Sequence, residues 1–172
     1  MPYFYQYNNS LHPGSSCQNT SIAMVLKYYG WNGKPDTITA AWGKNHAQSP
    51  AGLAQVFNDY ATNIGISQRL NAHTNGSIAG LKSLLAAGKP VIIHGYFTNF
   101  GHVVVVHGTK NGNYIVNDPA GKWNQVFKGG YPYGIGGNVG KNIEYSAAAF
   151  EKAVSTLNGS GFAPLWYHEV IN

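Results

Sequence analysis

The chain has 172 residues and a net charge of +5, with 44% hydrophobic and 10% charged residues. This composition suits one folded domain over residues 1–172, and a single cysteine excludes an internal disulfide. The 11 lysine and arginine residues are scattered and no apolar run approaches the length of a membrane span, so we expect neither nucleic-acid binding nor membrane insertion.

Helical patterns follow an extended, turn-rich N-terminal segment. In the first pattern Cys17 precedes apolar residues that recur on one helix face, and Gly30 provides a C-terminal cap. Ser49 and Ser77 each precede an apolar helix face and are predicted N-caps. Helices are predicted from residue 17 to 30, over 35–42, from 50 through 60, from 78 to 88 and over 146–155.

Strand patterns dominate the second half of the chain. Asn111-Gly112, between two apolar runs, is a strong signal for a β-hairpin. Residues 121–142 are rich in glycine and aromatic residues, so we expect a long surface loop there. Strands are predicted over residues 64–70, 90–96, 102–107, 113–117 and 164–171. This order indicates an α+β fold in which N-terminal helices pack on a C-terminal antiparallel sheet.

Cys17 is the only cysteine and stands at the start of the first predicted helix. Free backbone N–H groups and the positive dipole end at a helix N-terminus stabilise a thiolate, the form that attacks a carbonyl carbon. A buried packing role is the alternative. Its polar neighbours suit a cleft better than a core: Ser15, Ser16, Gln18, Asn19 and Thr20. We therefore predict that the sulfur reaches a cleft and acts as a nucleophile.

A nucleophilic cysteine needs a base, and the base needs a group that orients it. His102 begins one predicted strand of the hairpin and Asp118 ends the other, so the hairpin brings them together across 16 positions. Gln6 is a candidate donor to the oxyanion, besides the backbone N–H of Cys17. These four residues are the predicted site.

The register of the hairpin decides which side chain shares the face of His102. A two-residue turn would point Asp118 away and place Asn117 on the shared face. A three-residue loop over residues 110–112 would bring Asp118 to the His102 side. We predict the three-residue loop, with a positive φ at Gly112. A two-residue turn without a compensating bulge would move the orienting role to Asn117.

We predict no metal and no cofactor. His102 and His107 are five positions apart on a strand, which places them on opposite faces. The other histidines show no ligand spacing and are interpreted as surface or packing residues: His12, His46, His73, His94 and His168. Three aromatic residues of the glycine-rich segment are interpreted either as the lining of a substrate groove or as anchors of the loop: Trp123, Tyr131 and Tyr133.

Five motifs occur in an order that resembles the C39-like cysteine peptidases. Gln6 comes first, Cys17 leads the helix with SIAMVLKYYG, and the chain continues with LLAAGKPVIIHGY, GHVVVVHG and YIVNDPAG. The resemblance implies a papain-like fold. It also implies an oxyanion-hole glutamine at Gln6, a nucleophile at Cys17, a base at His102 and an aspartate partner at Asp118. The chain differs from the family pattern in the longer spacing between the first two residues and at Gln18, where the family often has glycine.

This resemblance implies a hydrolase of peptide bonds. A small basic domain without a visible propeptide resembles phage lysins and bacterial toxins that cut peptidoglycan, so we predict a peptidoglycan endopeptidase that acts outside the cytoplasm. A protease of proteins or peptides is the alternative, followed by an acyltransferase or deamidase on the same triad. The intact Cys, His and Asp argue against an inactive binding module. We expect no signal peptide, because the N-terminus has no basic region followed by an apolar run.

Overall fold

The computed structural model describes residues 1–132, 136–155 and 164–172. Its helices are α1 (Cys17–Tyr28), α2 (Pro35–Trp42), α3 (Pro50–Asn63), α4 (Ile78–Ala86) and α5 (Ala147–Ser155). Its strands are β1 (Arg69–Gly76), β2 (Val91–Gly95), β3 (His102–Lys110), β4 (Asn113–Asn117), β5 (Ile143–Tyr145) and β6 (Leu165–Ile171). Short 3-10 turns lie at Gln6–Asn8, Pro13–Ser15 and His46–Gln48.

The predicted helix caps are confirmed. The Ser49 hydroxyl accepts a hydrogen bond from the backbone N–H of Gly52 at 3.1 Å, and the Ser77 hydroxyl accepts one from Gly80 at 3.0 Å. Each cap satisfies a backbone donor that the first helical turn leaves unpaired. Helix α1 ends at Tyr28, two residues before Gly30, whose φ of 106° lies in the region that glycine tolerates best.

Within the described residues, six strands form one sheet in the order β1-β6-β2-β3-β4-β5, and all neighbouring strands are antiparallel. Helices α1 and α3 cover one face, and α4 and α5 cover the other. The predicted α+β fold, with N-terminal helices on an antiparallel sheet, is confirmed. Helices α4 and α5 were predicted, but their position on the second face of the sheet was not.

Coverage of both faces explains the four consecutive valines of β3. Val103 and Val105 pack in the core beside α1, whereas Val104 and Val106 pack in the core beside α4 and α5. A strand buried on both sides reads as a continuous apolar run rather than an alternating one. This run holds the N-terminal end of β3 rigidly against α1.

One strand prediction was wrong in position, and one strand of the sheet was not predicted. The predicted strand at residues 64–70 lies at Arg69–Gly76, and the three-residue strand Ile143–Tyr145 was not predicted. Both are edge strands of the sheet, so pairing with one neighbour, rather than an apolar alternation, defines them. The described residues of the predicted loop, 121–132 and 136–142, contain no helix or strand. Among all the residues that the structure describes, no helix is long and apolar enough to cross a membrane.

Candidate active site

Cys17 is the first residue of α1 and lines a cleft of about 420 Å³. The side chains one turn further on are fully buried, with Ile22 and Met24 in the core. Ser21 donates a hydrogen bond at 3.2 Å to the carbonyl oxygen of Val103, the residue after His102. The prediction that the sulfur reaches a cleft is confirmed, and this bond ties the start of α1 to the start of β3.

His102 and Asp118 are in direct contact. The distance from His102 Nε2 to Asp118 Oδ1 is 2.9 Å, and both side chains are buried. Because Nε2 is occupied by the carboxylate, Nδ1 is the ring nitrogen left to interact with Cys17.

The hairpin reaches this arrangement by a route that we did not predict. Lys110 pairs with Asn113, so the turn has two residues rather than three; Gly112 has the expected positive φ of 83°. A β-bulge compensates, because the pairing steps from Val106 to Gly108 and leaves His107 out of register. The shifted register continues to the end of the strand, where Asp118 lies on the His102 side.

Asn117 is not at the site. Its Nδ2 donates to the Pro2 carbonyl at 2.8 Å, and its Oδ1 accepts from the backbone N–H of Asn142 at 2.9 Å. Both ends of this buried amide therefore hold backbone segments. Asn117 pairs with Val105, so the bulge places its side chain on the opposite face of the sheet from His102.

Two tyrosines that the sequence did not identify as partners complete the surroundings of Asp118. Oδ2 accepts hydrogen bonds from Tyr131 at 2.7 Å and Tyr145 at 2.8 Å, and Oδ1 accepts a second one from the Ala120 N–H at 3.0 Å. The carboxylate therefore has four donors, counting His102, and is held in a single orientation. Only the aromatic content of the glycine-rich segment pointed towards Tyr131, and nothing in the sequence singled out Tyr145.

Charge and burial act in opposite directions on the reactive pair. Burial lowers the pKa of His102, but the Asp118 carboxylate and the charge on Cys17 raise it to about 10. Burial likewise raises the pKa of the Cys17 thiol, but the charge and hydrogen bond of His102 outweigh this effect and bring it below its usual value. The geometry thus favours a thiolate next to an imidazolium.

Gln6 lines the same cleft as Cys17 and is buried. Its backbone N–H donates to the Pro119 carbonyl and its Nε2 donates to the Pro13 carbonyl, both at 2.8 Å. An amide nitrogen carries two hydrogens, so one donor remains for a ligand in the cleft. The structure therefore places Gln6, Cys17 and His102 around one cavity.

Apart from Cys17 and His102, the cleft walls are uncharged at neutral pH and partly aromatic. None of the described residues that line the cleft is Lys, Arg, Asp or Glu. His94 stacks on Trp166 with ring centroids 4.6 Å apart, and burial with the nearby His102 charge lowers its pKa to about 4, so it is uncharged at neutral pH. Phe100, on the rim, is 99% exposed. The interpretation of His94 as a surface or packing residue was therefore incomplete.

The three aromatic residues interpreted from the glycine-rich segment differ in the structure: one lines the cleft, one is in the core and one lies outside the described residues. Tyr131 lines the cleft and also anchors the segment through Asp118. Trp123 is 1% exposed in the core beside Phe97, so it is not part of a groove. Tyr133 lies outside the described residues. Within the described ranges, no three His, Cys, Asp or Glu side chains cluster in a way that would hold a metal ion.

Comparison with known proteins identifies the family. A sequence model described as the Peptidase_C39 like family matches residues 1–152. No curated protein sequence matches the chain. Among solved structures, the chain is similar to a protein from Bacillus anthracis assigned as a C39-like peptidase, with a TM-score of 0.66 and 16% identity over 99% of this chain and 94% of that chain.

A second solved structure has the same fold. It is a double glycine motif protease from an AMS/PCAT transporter in complex with the leader peptide, with a TM-score of 0.61 and 18% identity over 99% of this chain and 91% of that chain. The family match covers most of the sequence, and both solved structures align with nearly the whole chain. The chain therefore belongs to the Peptidase_C39 like family of cysteine peptidases and has the papain-like α+β fold.

Proposed function

We propose that Cys17 is the nucleophile of this peptidase, His102 its base, Asp118 the group that orients His102, and Gln6 a donor to the oxyanion. The observation that carries this proposal is the shared cleft: Cys17, His102 and Gln6 line one cavity, with Asp118 hydrogen-bonded behind the imidazole. Every group that the reaction requires is therefore within one site.

The Cys17 thiolate attacks the carbonyl carbon of the scissile amide, and the carbonyl π electrons move to oxygen. The Cys17 backbone N–H, which the helix leaves unpaired, and the remaining N–H of Gln6 Nε2 donate to that oxyanion. The imidazolium of His102 gives its proton to the leaving nitrogen as the C–N bond breaks, leaving a thioester. His102 then takes a proton from water, which attacks the thioester and releases the thiolate.

For the substrate we propose a peptide bond in the stem or cross-bridge of peptidoglycan, cleaved outside the cytoplasm. The net charge of +5 favours approach to anionic wall polymers, and salt should weaken this attraction. Apart from the Cys17–His102 pair, the lining of the cleft carries no Lys, Arg, Asp or Glu, and this favours short, uncharged peptide segments over carboxylate-bearing ones. Within peptidoglycan, an uncharged cross-bridge therefore fits the cleft better than an acidic stem.

A peptide segment of another protein is the second candidate substrate. One structural neighbour is a double glycine motif protease in complex with a leader peptide, so the fold accommodates a leader peptide in that protein. A neutral cleft accepts such a segment equally well.

The two candidates are separated by their products. Purified peptidoglycans with several cross-link types and an unstructured protein are each incubated with the wild type and with Cys17→Ala, and new amino termini are identified by mass spectrometry. We expect new termini from peptidoglycan with the wild type alone. Cleavage of the unstructured protein without any peptidoglycan product would refute the wall substrate, and cleavage that persists in Cys17→Ala would refute the assignment of the nucleophile.

A further inference from the structure

Gln18 directly follows the proposed nucleophile, Cys17, at a position where glycine is frequent in the family that the chain resembles. Its side chain is 3% exposed and lines the cleft beside Cys17. A buried amide is stable only when its donors and acceptor have partners, so those partners define what this side chain does. The proposed reaction assigns it no role.

The amide nitrogen of Gln18 is held by two carbonyl oxygens. Nε2 donates to the Ser15 carbonyl at 3.1 Å and to the Lys44 carbonyl through a short bond. A flipped amide would turn its oxygen towards two other oxygens, so these contacts determine the orientation. As a result Oε1 faces Cys17, with 3.3 Å between Oε1 and Sγ.

This oxygen distinguishes the two protonation states of the sulfur. An amide oxygen accepts a hydrogen bond from a neutral S–H, whereas it turns a partial negative charge towards a thiolate. We propose that Gln18 is a positioning residue that accepts the Cys17 S–H on Oε1 and thereby limits the thiolate fraction of the resting enzyme. The proposal rests on the proposed role of Cys17 as the nucleophile. It places Gln18 in direct opposition to His102.

Other titratable groups near the sulfur do not share this effect. From β3, His102 favours the thiolate. From β2, His94 lines the cleft and is uncharged at neutral pH, and from the glycine-rich segment the Tyr131 hydroxyl is engaged by Asp118. The backbone carbonyl oxygen of Lys44 accepts a hydrogen bond from Gln18, and Lys44 is an exposed residue. His102 takes the proton from the sulfur when the thiolate forms, whereas Gln18 Oε1 is placed to accept the S–H of the neutral thiol.

Two substitutions at this position should act in opposite directions. Gln18→Met keeps the length of the side chain and removes the acceptor, so the thiolate forms more readily. In Gln18→Glu one carboxyl oxygen faces Cys17 and the other faces the Ser15 and Lys44 carbonyl oxygens, to which a protonated carboxyl can donate. When this carboxyl ionises, its negative charge opposes the thiolate more strongly than the amide does. Because the protein has one cysteine, the pH dependence of alkylation by iodoacetamide reports Cys17 alone. We expect the alkylation midpoint to fall by about 0.5–1 pH unit in Gln18→Met and to rise in Gln18→Glu.

The same pair of variants is measured in a His102→Ala background, where the opposing charge is absent, and the same order of midpoints is expected there. A purely structural role would shift both midpoints in one direction, or lower Tm with both midpoints unchanged, and either result overturns the proposal. If Gln18→Met does not fold, Gln18→Gly, which also removes the acceptor, takes its place. Alkylation needs no turnover, so cleavage that persists in Cys17→Ala would refute the proposed nucleophile while the midpoints still test Gln18.

Discussion

Asp118→Asn should remove the negative charge beside His102 while keeping the shape of the hydrogen-bonded site. The amide oxygen can accept a hydrogen bond from His102 Nε2, as Asp118 Oδ1 does in the wild type at 2.9 Å. The amide nitrogen then faces the Tyr131 and Tyr145 hydroxyls, which can rotate to accept. The variant therefore tests the charge of the carboxylate separately from its position.

The expected magnitude follows from the pKa of His102. In the wild type this pKa is raised to about 10 from an ordinary value of 6.5, so the imidazolium persists across neutral pH and is lost as the pH rises through about 10. Without the carboxylate, burial lowers the pKa again and is opposed only by the charge and hydrogen bond of Cys17. For an imidazole returned to the ordinary pKa of 6.5, only about a tenth of the imidazolium remains one pH unit above that value.

The assay is the rate of Cys17 alkylation by iodoacetamide between pH 5 and pH 10, followed by the rate of peptide cleavage over the same range. At pH 7.5 we expect alkylation to slow by about tenfold in Asp118→Asn, because the thiolate loses its cationic partner. Asn117→Ala is the matched control and should keep the wild-type profile, since its side chain binds Pro2 and Asn142 instead. Superimposable pH profiles for the wild type and Asp118→Asn would refute the reasoning.

Three further substitutions test the surroundings of the site. Gly140→Ala should reduce cleavage by about tenfold or more, because the new Cβ would lie 2.0 Å from the Asp118 carbonyl oxygen and would displace it. Gly108→Ala is the control and should keep wild-type rates, since its Cβ would meet no atom closer than 3.9 Å. Tyr145→Phe removes a donor to a buried carboxylate and should cost about 1–3 kcal/mol in thermal unfolding; an unchanged Tm would contradict the importance of that bond. Phe100→Ala should raise KM severalfold without changing Tm, since Phe100 is 99% exposed on the cleft rim, and a fall in kcat alone would exclude a substrate-binding role.

Local pattern was enough to predict most of the helices and strands and to single out the residues that we propose for the site. The start of α1 follows from the change from polar to apolar residues after Cys17, and the hairpin follows from Asn111-Gly112. Both signals act within a few residues, where backbone preference and apolar spacing decide the structure. The pairing of His102 with Asp118 was predicted correctly, although the loop length proposed to explain it was wrong.

Tertiary structure decided the features that depend on distant parts of the chain. The bulge at His107 is set by how β3 fits between β2 and β4, and it alone determines that Asp118 rather than Asn117 reaches His102. Tyr145 meets Asp118 from 27 positions away, a distance that no local pattern specifies.

The sequence by itself thus determined which segments become helices and strands, because that property depends on short-range spacing. It did not determine which face of the sheet α4 and α5 would cover, because an apolar helix stripe packs equally well on either side. The fold alone decided the three donors that join His102 around Asp118 and the amide oxygen that faces Cys17. Hydrogen bonds of this kind need atoms placed within a few tenths of an ångström, and only the packed core supplies that precision.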